Sequence, residues 1–216
     1  MINSKTIVSI SLITALANIS FGQIVKTNKG YLFHVKYTAG QTIQFDSSNS
    51  LDNKNKLAAG ETVNLPVSIS VLSVDKGYAT TRISMGAGTI GKNPKPIMSP
   101  MSVMVQVDDH NNSKSKDGNS VVTPLPTHPV QIGATWNAVR PVKLAGTLQR
   151  LDAVYQFAGP KQINGHEVAV INFRLSGAAS GSGTMMLLTK DGSLYRNETF
   201  IDIGVERVHS ILNRKM

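Results

Sequence analysis

The fold is decided by the stretch Met185–Leu194, which reads MMLLTKDGSL. An apolar run leads into an Asp-Gly pair, and a second run rich in apolar residues follows as far as Ile203. Asp-Gly between two such runs is the strongest short-range hairpin signal, because glycine readily adopts the positive φ that a tight turn needs. The stretch therefore predicts two antiparallel strands joined by a turn at Asp191-Gly192.

The same pattern recurs upstream, where the turns Asp75-Lys76-Gly77 and Asn164-Gly165 also carry a suitably placed glycine. The flanking segments alternate apolar and polar residues with the period of two that half-buried strands show. Clear alternating sets are Tyr31/Phe33/Val35/Tyr37, Val67/Ile69/Val71, Ala79/Thr81/Ile83/Met85, Val103/Val105/Val107 and Ala169/Ile171/Phe173/Leu175. No segment after the N-terminus shows a helical apolar stripe of ten residues or more. The pattern predicts an all-β fold of antiparallel hairpins with little or no helix.

The N-terminus has the three-part layout of a secretory signal peptide. Lys5 precedes the apolar run Ile7–Ala17, and Ser20 and Gly22 supply small residues before a cut at Gln23. The apolar run is shorter than the roughly 18 to 20 residues that a membrane-spanning helix needs. We therefore expect the signal to be removed.

The chain is accordingly divided into a signal peptide at residues 1–22 and a single β domain at residues 23–216, exported to the periplasm or the extracellular space. The chain has no cysteine, so neither a disulfide nor a lipid anchor is expected. No second apolar run is long enough to span a bilayer, which excludes a helical integral membrane protein. We expect the protein to be soluble.

The net charge of +9 has two interpretations that the sequence leaves open. Export argues against nucleic acid as a partner, and the basic residues are scattered rather than clustered. The charge indicates either attraction to an anionic envelope component or a well-solvated surface. No nucleic-acid partner is predicted.

The strand signals follow an order that occurs twice, which we interpret as a weak internal duplication with halves at about 23–120 and 121–216. A simple meander of hairpins would space its glycines similarly, so this alternative stays open. The matching elements are Gly40–Ile43 with Gly133–Trp136, the hairpin at Gly77 with that at Gly165, and Met101–Val107 leading to Lys116-Asp117-Gly118 with Thr184–Thr189 leading to Lys190-Asp191-Gly192.

The stretch Pro124–Trp136, PLPTHPVQIGATW, resembles a P-x-x-P-V-x-x-G-x-T-W-like element of uncharacterised exported bacterial β-proteins. Those proteins look like the lipoprotein-carrier-like group, in which a strongly curved antiparallel sheet makes an incomplete barrel around an apolar hollow. The resemblance implies such a sheet here, and the repeated strand order divides it into two similar halves. The helices that plug the barrels of the classical carriers have no counterpart in this sequence.

Five residues are predicted to line that hollow and bind an apolar or amphipathic ligand: Trp136, Met85, Met104, Phe173 and Met185. They lie on predicted strands whose other faces are also partly apolar, and methionine repacks easily around ligands of varied shape. Trp136 is the only tryptophan of the chain. Packing in the core is the alternative role for it.

No catalytic or metal motif is convincing. The motif Met98-x-x-Met101-x-x-Met104 offers ligands for copper(I), but residues three apart on a strand point to opposite faces. The side chains of Asp108-Asp109-His110 converge only if they lie in a loop, and Ser73-Val74-Asp75-Lys76 places an acyl-enzyme-like Ser and Lys around a hairpin turn instead of on a helix. We predict no metal, no cofactor and no enzymatic activity.

Three function classes remain, in this order. The first is a non-enzymatic exported protein that binds an apolar or amphipathic ligand or an envelope component in the hollow of the curved sheet. The second is a structural or interaction protein of the cell envelope without a small-molecule ligand, and the third is an enzyme whose site is assembled in space. An open apolar hollow favours the first class and a filled interior favours the second.

The signal peptide yields the first prediction. Exported protein is expected to begin at Gln23, because signal peptidase cuts after small residues that follow an apolar run. N-terminal sequencing or the intact mass of exported material measures this directly. A mature product that retains Ile7–Ala17 would contradict it.

Overall fold

The computed structural model describes residues 22–53, 62–91, 96–114, 123–144, 147–203 and 206–216. All the regular secondary structure in these ranges is β-strand, so the predicted all-β class is confirmed. Residues 1–21 of the predicted signal peptide and the turn Lys116-Asp117-Gly118 lie outside the described ranges. In chain order the strands are β1 (Gly22–Thr27), β2 (Gly30–Val35), β3 (Thr42–Asn53), β4 (Thr62–Asp75), β5 (Tyr78–Met85), β6 (Gly88–Ile90), β7 (Pro96–Met98), β8 (Met101–Val107), β9 (Thr135–Leu144), β10 (Thr147–Ile163), β11 (His166–Gly177), β12 (Ser180–Leu188), β13 (Leu194–Ile203) and β14 (Glu206–Arg214).

Twelve of these strands form one antiparallel sheet, and β1 pairs with β2 as a separate hairpin. The order across the sheet is β7-β6-β4-β3-β14-β13-β12-β11-β10-β9, with β5 beside β4 and β8 beside β5. Within the described ranges no ladder of hydrogen bonds joins β8 to β9. The sheet is therefore open and does not close into a barrel.

The two predicted halves of the chain meet at one seam in this sheet. Strands β3 to β8 lie on one side of it and β9 to β14 on the other. At the seam, the C-terminal strand β14 pairs with β3 from Arg214 opposite Phe45 to Glu206 opposite Asn53. Each half thus fills its own part of the sheet, and the duplication itself stays a prediction.

One face of the sheet is buried in a single core cluster. The cluster includes Ile83 of β5 and Val105 of β8 near one end of the sheet, and Phe157 of β10 near the other. The buried cluster runs along one face from one end of this unclosed sheet to the other, in agreement with the predicted curved sheet. The β1–β2 hairpin adds Phe33, whose ring meets that of Phe157 edge-on at 5.3 Å. Bulges in the β4–β5, β10–β11 and β12–β13 ladders add local bending.

The predicted turns are confirmed. Lys76 and Gly77 have φ values of 49° and 81°, and Asn164 and Gly165 have values of 51° and 78°. Positive φ at both central residues matches the right-handed twist of the strands that such a turn connects. In the third turn, Gly192 has a φ of 63° and its N–H donates to the Leu188 carbonyl at 2.7 Å.

The turn at Gly192 yields a prediction on stability. Gly192→Val is expected to lower the free energy of unfolding by about 1 kcal/mol or more, because a β-branched residue strongly disfavours this left-handed conformation. Urea denaturation measures the change. The matched control Lys190→Val, in the same turn, should shift it by less than about 0.5 kcal/mol. Equal stability of the two variants would show that Gly192 is not under this constraint.

Candidate functional site

The structure does not bring the five predicted ligand-binding residues to one open space. Met85 and Met185 are buried in the core at 1% and 0% exposure, and Phe173 is 8% exposed. Trp136 is half-buried, whereas Met104 is 52% exposed and lies on the opposite face of the sheet. Binding at these residues stays a prediction. In this structure most of them pack against protein.

Trp136 and Phe173 are close to each other, one on either side of Tyr155. The indole ring stacks on the Tyr155 ring at 5.6 Å between centroids, and the Phe173 ring lies 6.0 Å from the Tyr155 ring. The indole Nε1 of Trp136 donates to the Pro124 carbonyl at 3.0 Å. Trp136 therefore anchors the preceding proline-rich segment to the sheet.

That segment also holds the β1–β2 hairpin. Tyr31 and Val130 exchange two backbone hydrogen bonds, of 2.8 and 2.9 Å. A side chain at Gly30 is excluded, because its Cβ would lie 2.5 Å from the Val130 carbonyl oxygen. Gly133 has a φ of 89° and its N–H donates to the Phe157 carbonyl at 2.7 Å. In this chain, the Pro-Val-x-x-Gly-x-Thr-Trp element therefore joins the hairpin to the sheet.

An open groove of about 760 Å³ lies on the other face of the sheet and crosses five strands, from β9 to β13. We call it the β9–β13 groove. Its lining residues are Thr135, Val154, Gln156, Asn172, Phe173, Arg174, Ser182, Gly183, Thr184, Glu198 and Phe200. Smaller grooves of about 550 and 560 Å³ lie beside Met85 in the first half and beside His34 of the β1–β2 hairpin. The β9–β13 groove is the largest of the three.

Two rows of paired residues cross the strands on this face and form the floor of the groove. Residues that face each other across an antiparallel pair project to the same side of the sheet. The first row is Val154, Arg174, Ser182 and Phe200, and the second is Gln156, Asn172, Thr184 and Glu198. The first row combines apolar groups with a cation, and the second is polar throughout.

The middle of the groove is open because the residue that β12 presents there is the small Ser182, and the two glycines beside Ser182 face the core. A Cβ on Gly183 would lie 2.3 Å from Cζ of Phe173 and 2.4 Å from the Glu198 carbonyl oxygen. A Cβ on Gly181 would lie 2.2 Å from the Phe200 carbonyl oxygen. Glycine at both positions lets β13 and the Phe173 ring approach β12 on the core side of the sheet. The open space of the groove lies over Ser182, on the outward side.

A charged cluster on β13 and β14 lies at one end of the groove. Glu198 accepts hydrogen bonds from Nε2 of His209 at 2.9 Å and from Arg196 at 3.0 Å. Burial raises the pKa of the Glu198 carboxyl, but the hydrogen bonds from His209 and Arg196, with their positive charges, outweigh this and lower the pKa below its ordinary value. The Phe200 ring stacks on the His209 ring at 4.2 Å with an angle of 6° between them. The cluster therefore fixes the position of Phe200.

Arg174 is the cation in the middle of the floor. Among the described residues, no carboxylate lies within ion-pair distance of it. Its side chain is exposed, and its cross-strand neighbours are Val154 and Ser182, neither of which is charged. The guanidinium is therefore available to an anionic group of a ligand.

Groups typical of metal binding or nucleophilic catalysis are not assembled in the described ranges. No set of three or more His, Cys, Asp and Glu side chains there is arranged to hold a metal ion. Among the described residues, no serine hydroxyl forms a hydrogen bond with a histidine ring. In the Glu198–His209 pair, the Phe200 ring stacks on the imidazole. The pair therefore holds the Phe200 ring in position.

Of the residues that line the groove, Phe173 alone belongs to the five that the sequence predicts as ligand-binding. The missed residues that matter most are Arg174, Ser182 and Phe200. Period-two alternation does carry part of the signal, since a strand with Phe173 inward must have Arg174 outward. What the sequence does not show is that β10, β11, β12 and β13 lie side by side, so that these outward residues form one surface.

The fold and the groove together define the class of this protein: an all-β protein with one open, curved antiparallel sheet and a solvent-facing groove on its outer side. Over the described part of the chain, no helix has the length and apolar character to cross a membrane.

No protein-family model and no curated protein matches the chain in sequence. Among solved structures, the chain is similar to the hypothetical lipoprotein YmcC from Escherichia coli K12, with 10% sequence identity and a TM-score of 0.35. The similarity covers 80% of this chain and 84% of that chain. A likeness of this size carries no argument about fold or function.

The charged cluster yields a prediction on pH. Because the pKa of Glu198 is lower in the folded chain than in the unfolded chain, the cluster stabilises the fold at neutral pH, and this contribution is lost as the pH falls through the lowered pKa. Arg196→Gln is expected to raise the pKa of Glu198 toward its ordinary value, as measured by NMR titration of the carboxyl carbon.

The matched control for that titration is Arg150→Gln, because Arg150 pairs with Asp152 and makes no contact with Glu198. It should leave the pKa of Glu198 unchanged. An equal pKa in the wild type and in Arg196→Gln would mean that Arg196 does not stabilise the carboxylate.

Proposed function

We propose that this protein is an exported, non-enzymatic binding protein that holds an amphipathic envelope component in the β9–β13 groove. The observation that carries the proposal is the position of open space in the fold. The residues expected to line an interior hollow are mostly packed in the core, whereas a groove of about 760 Å³ is open on the outward face. The proposed site therefore lies outside the curve of the sheet.

The chemistry of the groove supports an amphipathic ligand. Val154 and Phe200 are 48% and 37% exposed, so each offers apolar surface that a ligand would remove from water. Arg174 supplies a positive charge between them in the same row. A ligand with apolar and anionic parts satisfies both kinds of group, whereas a purely apolar ligand would leave the guanidinium desolvated and unpaired.

The charge and the compartment support an envelope component as the source of the ligand. The N-terminal sequence predicts export, and the net charge of +9 favours the approach of anionic molecules over neutral ones. Binding without chemical change is proposed because the groove presents a cation, amides, hydroxyls and the paired carboxylate of Glu198, with no assembled nucleophile among the described residues.

A second candidate function is that of a structural or interaction protein of the envelope without a small-molecule ligand. The observation that favours it is the packed interior, where Met85, Met185 and Phe157 are 1% exposed or less. This candidate requires no binding of small molecules in the groove. The two candidates therefore differ in a measurable property.

Filling the groove tests the proposal. Ser182→Tyr places a ring on the floor between Arg174 and Phe200, and it is expected to weaken ligand binding at least about tenfold, because the ring occupies the space of the ligand. Isothermal titration calorimetry of the mature protein with decanoate, trigalacturonate and maltotriose measures this. Saturable binding of at least one of these probes by the wild type is expected.

The matched control is Ser73→Tyr, which adds the same ring to an exposed serine on β4 outside the groove. It should bind as the wild type does. If none of the probes binds to the folded wild type, or if Ser182→Tyr binds them unchanged, the groove is not the binding site and the structural candidate takes its place.

A further inference from the structure

We infer that the ligand of the β9–β13 groove is an acidic oligosaccharide, a chain of sugar rings that carry carboxylates. The inference rests on the proposed function of the groove and specifies the class of its ligand. Three features of the groove support it: one open face of an aromatic ring, an arginine two strands away that has no carboxylate partner among the described residues, and a parallel row of amides and a hydroxyl that ends at the carboxylate of Glu198, which Arg196 and His209 already pair.

The aromatic ring is Phe200. One of its faces is covered by the parallel His209 ring at 4.2 Å, and on its other side the paired residue is the small Ser182. Phe200 is 37% exposed and lines the groove, so the uncovered ring surface is directed into it. A rigid, flat, electron-rich ring face packs well against the apolar C–H face of a pyranose, whose hydrogens are partly positive.

The position of Arg174 fixes the size of the ligand. Arg174 and Phe200 belong to the same row and are separated by Ser182, which places them two strands apart. Two strand spacings amount to about 10 Å. A single sugar ring does not reach from one to the other, whereas a chain of two or more rings does. The guanidinium binds a carboxylate with two parallel hydrogen bonds, which favours a uronic acid over a neutral sugar at that position.

The second row of the floor supplies partners for hydroxyl groups. The Thr184 hydroxyl donates to Oδ1 of Asn172 at 3.1 Å, which leaves the Asn172 amide nitrogen to donate into the groove. Gln156 approaches the Gly133 carbonyl through its Nε2 at 3.5 Å, which leaves its oxygen to accept. An acyl chain laid along this row would remove these groups from water and offer no hydrogen bonds in place of those that water makes to them. The row therefore favours a sugar chain over a lipid chain.

Calorimetry with four probes tests the inference on the mature protein. Trigalacturonate is expected to bind saturably, and maltotriose, a neutral chain of the same number of rings, at least about tenfold more weakly. Decanoate and polyglutamate provide an anion on an acyl chain and a polymer of anions without sugar rings. Both are expected to bind more weakly than trigalacturonate.

Two variants separate the roles of charge and ring. Arg174→Gln should weaken trigalacturonate binding at least about tenfold and change maltotriose binding little, because only the carboxylate contact is lost. Phe200→Leu should weaken the binding of both saccharides, because leucine keeps the apolar character and removes the flat ring. The matched controls Arg82→Gln and Leu72→Ala change an exposed arginine and an exposed apolar residue elsewhere on the sheet and should bind as the wild type does.

The outcomes separate this inference from the proposed function. If decanoate binds more tightly than trigalacturonate, and Ser182→Tyr weakens the binding of decanoate, the inference is overturned and the proposed function is left intact. Polyglutamate that binds as tightly as trigalacturonate reduces the interaction to net charge and also overturns the inference. The absence of binding by every probe overturns both.

Discussion

The pairing of the last strand with β3 is the constraint on which the rest of the sheet depends. The seam carries a buried polar contact: the Ser210 hydroxyl of β14 donates to the amide oxygen of Asn49 at 2.7 Å, and the amide nitrogen of Asn49 donates to the Ser47 hydroxyl at 3.0 Å. All three residues are 3% exposed or less. A slip of β14 by one residue would carry Ser210 to the other face and leave the buried amide oxygen of Asn49 without its partner, which would cost more than the bond contributes. The network therefore specifies the register between the two halves.

That register is transmitted across the second half to the groove. Ser210 pairs with Thr199 of β13, Thr199 pairs with Gly183 of β12, and Gly183 pairs with Phe173 of β11. This inward row alternates along the strands with the two outward rows that form the groove. The core and the groove are thus two faces of the same ladders, and the positions of Arg174 and Phe200 follow from the register that the inward residues set.

The glycines of β12 serve the packing on the core side of the sheet, opposite the groove. Gly183 leaves room for the Phe173 ring on the inward side, and the absence of a side chain at this position lets β12 and β13 lie close together. The cost is a strand with fewer side chains to pack and more backbone entropy to lose on folding. The neighbouring ladders with β11 and β13 offset this cost, since β12 is paired on both edges along most of its length.

Local rules account for what could be predicted. The glycine turns at Gly77, Gly165 and Gly192 were located because positive φ is a property of a single residue, and the inward positions such as Ile83 and Ile171 were located because alternation is a property of one strand. The curvature was expected from a resemblance in sequence and not from the pattern itself.

These local rules do not predict which residues form the site. The sequence by itself determined that the domain is all-β, where its hairpins turn and which side chains point inward, because turns and the two-residue period depend on neighbours in the chain. Only the tertiary structure decided that Trp136 and Phe173 lie on either side of Tyr155, that Met85 and Met185 are core residues and that Arg174, Ser182 and Phe200 form one surface. These contacts join residues far apart in the chain, and strand order and register, which a single sequence does not encode locally, bring them together.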